Sequence, residues 1–170
     1  MSDMMAKSKA TYSYVAWDVE TAQRMVHESV RVELGVNCVT ACMVCSLCMD
    51  LPLSEACEGC VEERNMCYLG KNAMDQFCTW LTETDHGDPD ERLETIAFAH
   101  NFKAFDSMVL LAYIFSQNII PELIMTGCKA MELKLPNQKI KFLDILNFMP
   151  MPLKALLKAM GMSTSLGEYG

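Results

Sequence analysis

The chain has 170 residues, 51% of them hydrophobic, with 22 acidic against 14 basic side chains and a formal net charge of −8. That length fits one domain with a real core rather than several. No apolar run approaches the ~20 residues of a membrane span, and an acidic chain grips phosphates poorly unless bound cations or another part of a longer protein supply the attraction.

The first eleven residues, MSDMMAKSKAT, have no apolar core and read as a frayed tail rather than a signal peptide. Tyr12 to Glu20, YSYVAWDVE, is β-branched and aromatic and predicts the first strand. Alternation along a strand puts Asp18 and Glu20 on one face, ~7 Å apart. Two carboxylates at that spacing suit a pair of hard cations, because magnesium and manganese prefer oxygen ligands and two-metal sites hold their ions ~3.5–4 Å apart. The plain alternative is a solvated strand edge. Thr21 to Glu33 is ambiguous, since Ala22, Met25, Val26 and Val30 would also line one face of a helix.

The cysteines follow. Cys45-x2-Cys48 and Cys57-x2-Cys60 are two CxxC knuckles separated by a short segment containing Pro52. Two such pairs supply four thiolates for tetrahedral zinc. Two disulfides or free buried thiols are the alternatives, but the nine cysteines are an odd number and no secretion signal precedes them, so disulfides fit poorly. Cys42 stands three residues before Cys45, and its place in a strand argues against ligation. Cys38, Cys67, Cys78 and Cys128 read as core or isolated thiols.

Met74 to Thr84 predicts a helix, with Met74, Phe77, Cys78 and Leu81 on one face. Asp85 to Glu91, DHGDPDE, reads as an acidic, turn-rich loop. Thr95 to Ala99 is a short apolar run that predicts a buried strand; His100-Asn101 breaks it, and helical spacing resumes from Phe105 through Phe115. Asp106 therefore falls in the first turn of a helix just beyond a strand, where the helix dipole favours an ionised carboxylate and α/β proteins place chemistry. Tyr113 and Gln117 continue its face. A capping Asp on a buried helix is the ordinary alternative. Ile124 to Leu135 and Lys139 to Leu146 predict two strands joined at Pro136-Asn137-Gln138. A last helix is expected from Leu153 to Met160, stopped by Gly161.

Asn101 to Asp106 reads N-x3-F-D, and with the D-x-E of Asp18 and Glu20 it resembles the first two exonuclease motifs of family B DNA polymerases. AHNFKAFDS followed by KFLDILNFMPMPL is similar to the protein-primed branch found in adenoviruses and Maverick/Polinton transposons. The likeness runs from about Tyr12 to Met160. It implies an α/β, ribonuclease-H-like 3′–5′ exonuclease domain over 12–170, with a cysteine-rich zinc-knuckle insertion at 42–70. It also implies a turn after the first strand and an antiparallel second strand at about Val36 to Val44. Carried over residue by residue, Asp18, Glu20 and Asp106 are metal ligands for magnesium or manganese. Asn101, Phe105 and Leu146 are DNA-binding positions, where an aromatic offers a face for a base to stack on. The implied partners are a single-stranded DNA 3′ end, the remainder of a polymerase and a terminal protein. The implied setting is an intracellular, reducing compartment, the nucleus among them, with no membrane role.

Two departures stand out. The family's third motif, Tyr-x3-Asp, does not occur after Asp106; Tyr169 is followed only by Gly170, and the chain is expected to stop before that motif and before any polymerase palm. Ile145 stands where the family's signature begins with Ser or Thr, while Leu146 and Met149 fit. The competing class is a non-catalytic zinc-binding interaction module or a degenerate transposon relic. A third is an unrelated nuclease of the same fold using Asp144, a residue that the resemblance assigns a structural role.

Overall fold

The structure, a computed structural model, describes residues 10–25, 32–55, 57, 64–83, 93–103, 105–127 and 129–161. Its described elements are β1 (Tyr12–Met25), β2 (Val32–Cys45), β3 (Asn65–Leu69), α1 (Ala73–Glu83), β4 (Glu94–Ala99), α2 (Asp106–Ser116), β5 (Glu122–Thr126), β6 (Lys129–Leu135), β7 (Ile140–Asp144) and α3 (Leu153–Ala159). The strands form one mixed sheet in the order β3-β2-β1-β4-β7-β6-β5. β1, β4 and β7 run parallel at its centre, and antiparallel strands flank them on both sides. The result is the α/β class expected.

Alternation decides which side chains meet. Val15 and Trp17 of β1, Val39 and Ala41 of β2, Ala97 and Ala99 of β4 and Phe142 of β7 are all buried in one core with Phe77, Leu110 and Ile114 from the two longer helices. Trp17 stacks on Phe77 with ring centres 5.0 Å apart, and Phe102 stacks on Phe142 at 6.3 Å. Burial of side chains this large contributes roughly 1.5–3 kcal/mol each. The odd-even partners of these residues, Ala16, Asp18, Thr40 and Cys42 among them, therefore emerge on the opposite face of the sheet.

Several boundaries differ from expectation. The first strand does not end at Glu20; it passes a register shift between Glu20 and Thr21 and continues to Met25. The antiparallel partner is longer than Val36 to Val44 and ends at Cys45. β3 was not anticipated: its residues alternate between exposed and half-buried, yet it pairs with β2 and extends the sheet. The segment Ile124 to Leu135 is two strands, because the chain turns at Gly127, whose φ of 61° suits glycine. The hairpin at Pro136–Gln138 is present as a 3-10 turn closed by Lys139 in the left-handed region.

The expected 1–11 tail includes Ala10, which is buried, and Thr11, whose N–H donates to Ser46 Oγ at 3.0 Å; both are docked on the cysteine region. The acidic loop at Asp85 to Glu91 lies outside the described residues, as do Cys60 and Cys128.

Candidate functional site

β4 and β7 end at one edge, level with the middle of β1, and Asp18, Asn101, Phe105, Asp106 and Leu146 lie at or next to that edge. Ala16 of β1 is level with Phe98 of β4, and Ala99 is level with Asp144 of β7. One step further along lie Asp18, the His100–Asp106 connection and the 3-10 turn Ile145–Asn147. Edges of this kind are where α/β sheets bind ligands.

Asp144 is fully buried and holds the edge together. Its carboxylate accepts from the backbone N–H of Asn101 at 3.1 Å, Lys103 at 3.2 Å and Leu146 at 2.9 Å. The Lys103 ammonium lies 3.9 Å away. Asn101 is exposed and sits at φ 65°, a left-handed conformation that asparagine tolerates better than most residues. Asp144 thus ties the β4–α2 connection to the end of β7.

Asp106 is in the opposite situation. It is the first residue of α2 and only 6% exposed. Among the described residues its carboxyl group has no hydrogen-bond or ion-pair partner. Burial, and then the charges of Asp18 and Asp144, push its pKa from 3.8 up to about 7. The sequence alone predicted an ionised carboxylate favoured by the helix amino terminus. That expectation is corrected: desolvation and two like charges outweigh the dipole, whose effect is typically only 0.3–1 kcal/mol.

Asp18 and Glu20 are both exposed, on the face opposite the aromatic core. In the β1–β2 ladder they lie opposite Thr40 and Cys38. The charge of Asp18 reaches both Asp106 and Cys38, whereas that of Glu20 is felt by Cys38. Asp18, Glu20 and Asp106 are not brought within 4.8 Å of one another as a closed set; among the described residues, that closeness is reached by Cys45, Cys48 and Cys57.

Phe105 precedes α2 and is 37% exposed; Leu146 is half-buried in the turn after β7. A cleft of about 460 Å³ is lined by Asp18, Thr40, Asn65, Phe98, His100 and Leu153, among others; neither Phe105 nor Leu146 lines it. The ring of His100 is fixed there by Nε2–H donating to the Met151 carbonyl at 3.0 Å. Sequence reasoning treated His100 only as a strand breaker. Its position next to Asn101 was the available signal.

The cysteine cluster forms at the far end of β2. Cys45 and Cys48 are fully buried, and Cys45 Sγ lies 3.7 Å from Cys57 Sγ. The N–H of Cys45 donates to Cys48 Sγ at 3.2 Å and that of Leu47 to Cys45 Sγ at 3.4 Å. Donors aimed at sulfur favour the thiolate form that metals require. Arg64 is also buried here, its guanidinium donating to the carbonyls of Cys48 and Pro52. Three thiols and a nearby buried cation fit a soft divalent ion such as zinc. The fourth expected ligand, Cys60, is outside the described residues. Cys42 is half-buried on β2 and is not part of the cluster; burial raises its thiol pKa and Arg64 opposes the shift.

Cys78 is buried, and burial pushes its thiol pKa up strongly, as expected of a core thiol. Cys38 and Cys67 depart from that expectation. Their sulfurs lie 3.9 Å apart across β2 and β3, and Cys67 is exposed.

No protein-family model and no curated protein matches the chain. Solved structures do. It is similar to phi29 DNA polymerase complexed with primer-template DNA, with a TM-score of 0.60 and 12% identity over 93% of this chain and 25% of that one. It is likewise similar to phi29 DNA polymerase complexed with single-stranded DNA, with a TM-score of 0.58, 12% identity and the same coverage. The chain thus spans about a quarter of those polymerases, and the likeness shows a shared fold.

Proposed function

We propose that this chain is the 3′–5′ exonuclease domain of a protein-primed family B DNA polymerase, acting in DNA replication and built on the ribonuclease-H-like fold. In this reading the domain runs over 12–170 and residues 42–70 are a zinc-knuckle insertion. The carrying observation is Asp106: it opens α2 next to the edge where β4 and β7 end and feels the charge of Asp18. The fold around it is shared with phi29 DNA polymerase over 93% of the chain.

Asp18, Glu20 and Asp106 would hold magnesium or manganese, for which an all-oxygen donor set is suited. The fit is electrostatic as well. A carboxyl group whose pKa is raised to about 7 by burial, and then by two neighbouring carboxylates, is one whose ionised form a divalent cation would favour. Bound there, such cations activate water and stabilise the attacking and leaving oxygens of a phosphodiester. The chain's own residues do the positioning. Asp144 locks the Asn101–Lys103 backbone, Phe105 presents a ring to a base, and Leu146 offers an apolar contact to the 3′-terminal nucleotide. The third-motif Tyr-x3-Asp, which does not occur after Asp106, is assigned in this reading to the remainder of a polymerase, which with a terminal protein is the expected partner.

The test is manganese binding followed through the spin signal of the free ion, with and without a single-stranded oligonucleotide. Wild type should bind, and Asp18→Ala and Asp106→Ala should each weaken binding at least tenfold. Equal binding by all three proteins, or none by wild type, would remove the reading. One observation favours a second reading, a non-catalytic zinc module: the thiol cluster is already closed, whereas the carboxylates are not. Zinc uptake with no manganese or DNA binding would select it.

A further inference from the structure

Cys38 and Cys67 belong to neither candidate metal centre. They lie on one face of the sheet, as diagonal neighbours in the β2–β3 ladder, where Cys38 opposes Leu69 and Thr40 opposes Cys67. Diagonal pairs are ordinarily ~7–8 Å apart between backbones, within reach of side chains. Here the two sulfurs are already 3.9 Å apart. A disulfide needs ~2.05 Å, so the sulfurs must close by roughly 2 Å; because bridged cysteines ordinarily keep their Cα atoms within ~6.8 Å, side-chain rotation has to be joined by a small inward shift of the end strand. β3 is the end strand of the sheet, and Cys67 is exposed upon it. A shared metal is the weaker explanation, since among the described residues no third donor joins this pair within 4.8 Å.

We infer that Cys38 and Cys67 are a reversible oxidation site that forms a cross-strand disulfide in response to a small-molecule disulfide of the glutathione class. The exposed thiol reacts first. Cys67, as thiolate, attacks one sulfur of the small disulfide, breaking that S–S bond and releasing one small thiolate, which takes up the proton Cys67 lost. Cys38 Sγ, deprotonated by water, then attacks Cys67 Sγ; the second small thiol leaves with a proton. Two protein thiols are oxidised by two electrons, and one small disulfide is reduced to two thiols. The product pins the end strand to β2 and closes a covalent ring from 38 to 67. That ring encloses Cys45, Cys48 and Cys57, so oxidation would restrain the knuckle segment without using its thiols.

The experiment uses the whole chain, loaded with zinc to occupy the knuckle thiols and incubated with oxidised glutathione. Free thiols are alkylated, the protein is digested without reductant, and disulfide-linked peptides are identified by mass. The expected product is one dominant Cys38–Cys67 linkage, reversed by reduced thiol, with slowed amide exchange along β3. In Cys67→Ser that linkage is lost and Cys38 acquires no other protein partner. If Cys67→Ser fails to fold, the wild-type linkage map alone decides. Recovery of Cys38 and Cys67 as separately alkylated or separately glutathionylated residues overturns the inference. So does a dominant linkage of either one to another cysteine.

Discussion

Asp106→Asn should stabilise the metal-free protein, and increasingly so as pH rises. Folded, the carboxyl titrates near 7; unfolded, it titrates near 3.8. Between those values the unfolded chain binds fewer protons than the folded one, so stability falls with rising pH and levels off above about 7. The penalty is absent below the unfolded pKa and complete above the folded one. Asparagine carries no such dependence. The variant's advantage over wild type should therefore grow by about 2–3 kcal/mol between pH 5 and pH 8, at 1.36 kcal/mol per pKa unit. For a chain of this size that is a difference of roughly 5–10 °C in melting temperature. Thermal and denaturant melts of both proteins at the two pH values measure it, and other titrating groups cancel in the comparison. Manganese should narrow the difference at pH 8, where the complete penalty is about 4 kcal/mol, because the wild type binds the cation more tightly. At a hundredfold excess over Kd, binding adds about 2.7 kcal/mol. A loss of ~1 kcal/mol in Asp106→Asn, the same at both pH values, would identify a simple helix cap and refute the electrostatic reasoning.

Three other outcomes follow from the same geometry. Residues 1–170 alone should show little or no shortening of a labelled single strand in manganese, since parts of a catalytic constellation are strongly non-additive; clear shortening abolished by Asp18→Ala would mean that another residue completes the site. The chain should carry one zinc, and a chelator should loosen residues 36–70 more than the central sheet; unchanged zinc content in Cys57→Ser/Cys60→Ser would dismiss the knuckle assignment. Asp144→Ala should cost on the order of 3 kcal/mol or more near neutral pH by leaving three backbone N–H groups without their acceptor, and a denaturant melt showing a neutral or stabilising effect would contradict its structural role.

The parts of the fold that were legible in the sequence are those whose side chains repeat with a clear period. Phe77, Cys78 and Leu81 mark α1, Ala97 and Ala99 mark β4, and the Pro136-Asn137-Gln138 turn marks the β6–β7 hairpin. What was not legible is pairing. Asn65–Leu69 is a strand because β2 offers it an edge, not because its own residues demand one. The apolar run from Ile124 conceals a turn at Gly127 that a hydrophobicity pattern passes over. At the site, Asp18, Glu20 and Asp106 could be nominated from the sequence, but their electrostatic state could not. The protonation of Asp106 depends on its burial and on Asp144, a residue far away in the chain.

The contrast between Asp106 and Asp144 shows why two neighbouring buried aspartates take different parts. Asp144 accepts three backbone donors and sits beside Lys103, so its environment is complete with the protein alone. A metal there would have to displace hydrogen bonds that hold the β4–α2 connection. Asp106 has no such partner among the described residues, and its charge is opposed by two others. Polar groups left in that condition are costly to keep unless something outside the chain completes them. The thiol cluster lies at the other end of β2, where Cys45 opposes Ser13 while Thr40 opposes Asp18. One strand thus separates a sulfur donor set from an oxygen donor set. In the proposed reading, zinc and magnesium or manganese would be sorted by ligand chemistry rather than by competition for a common site.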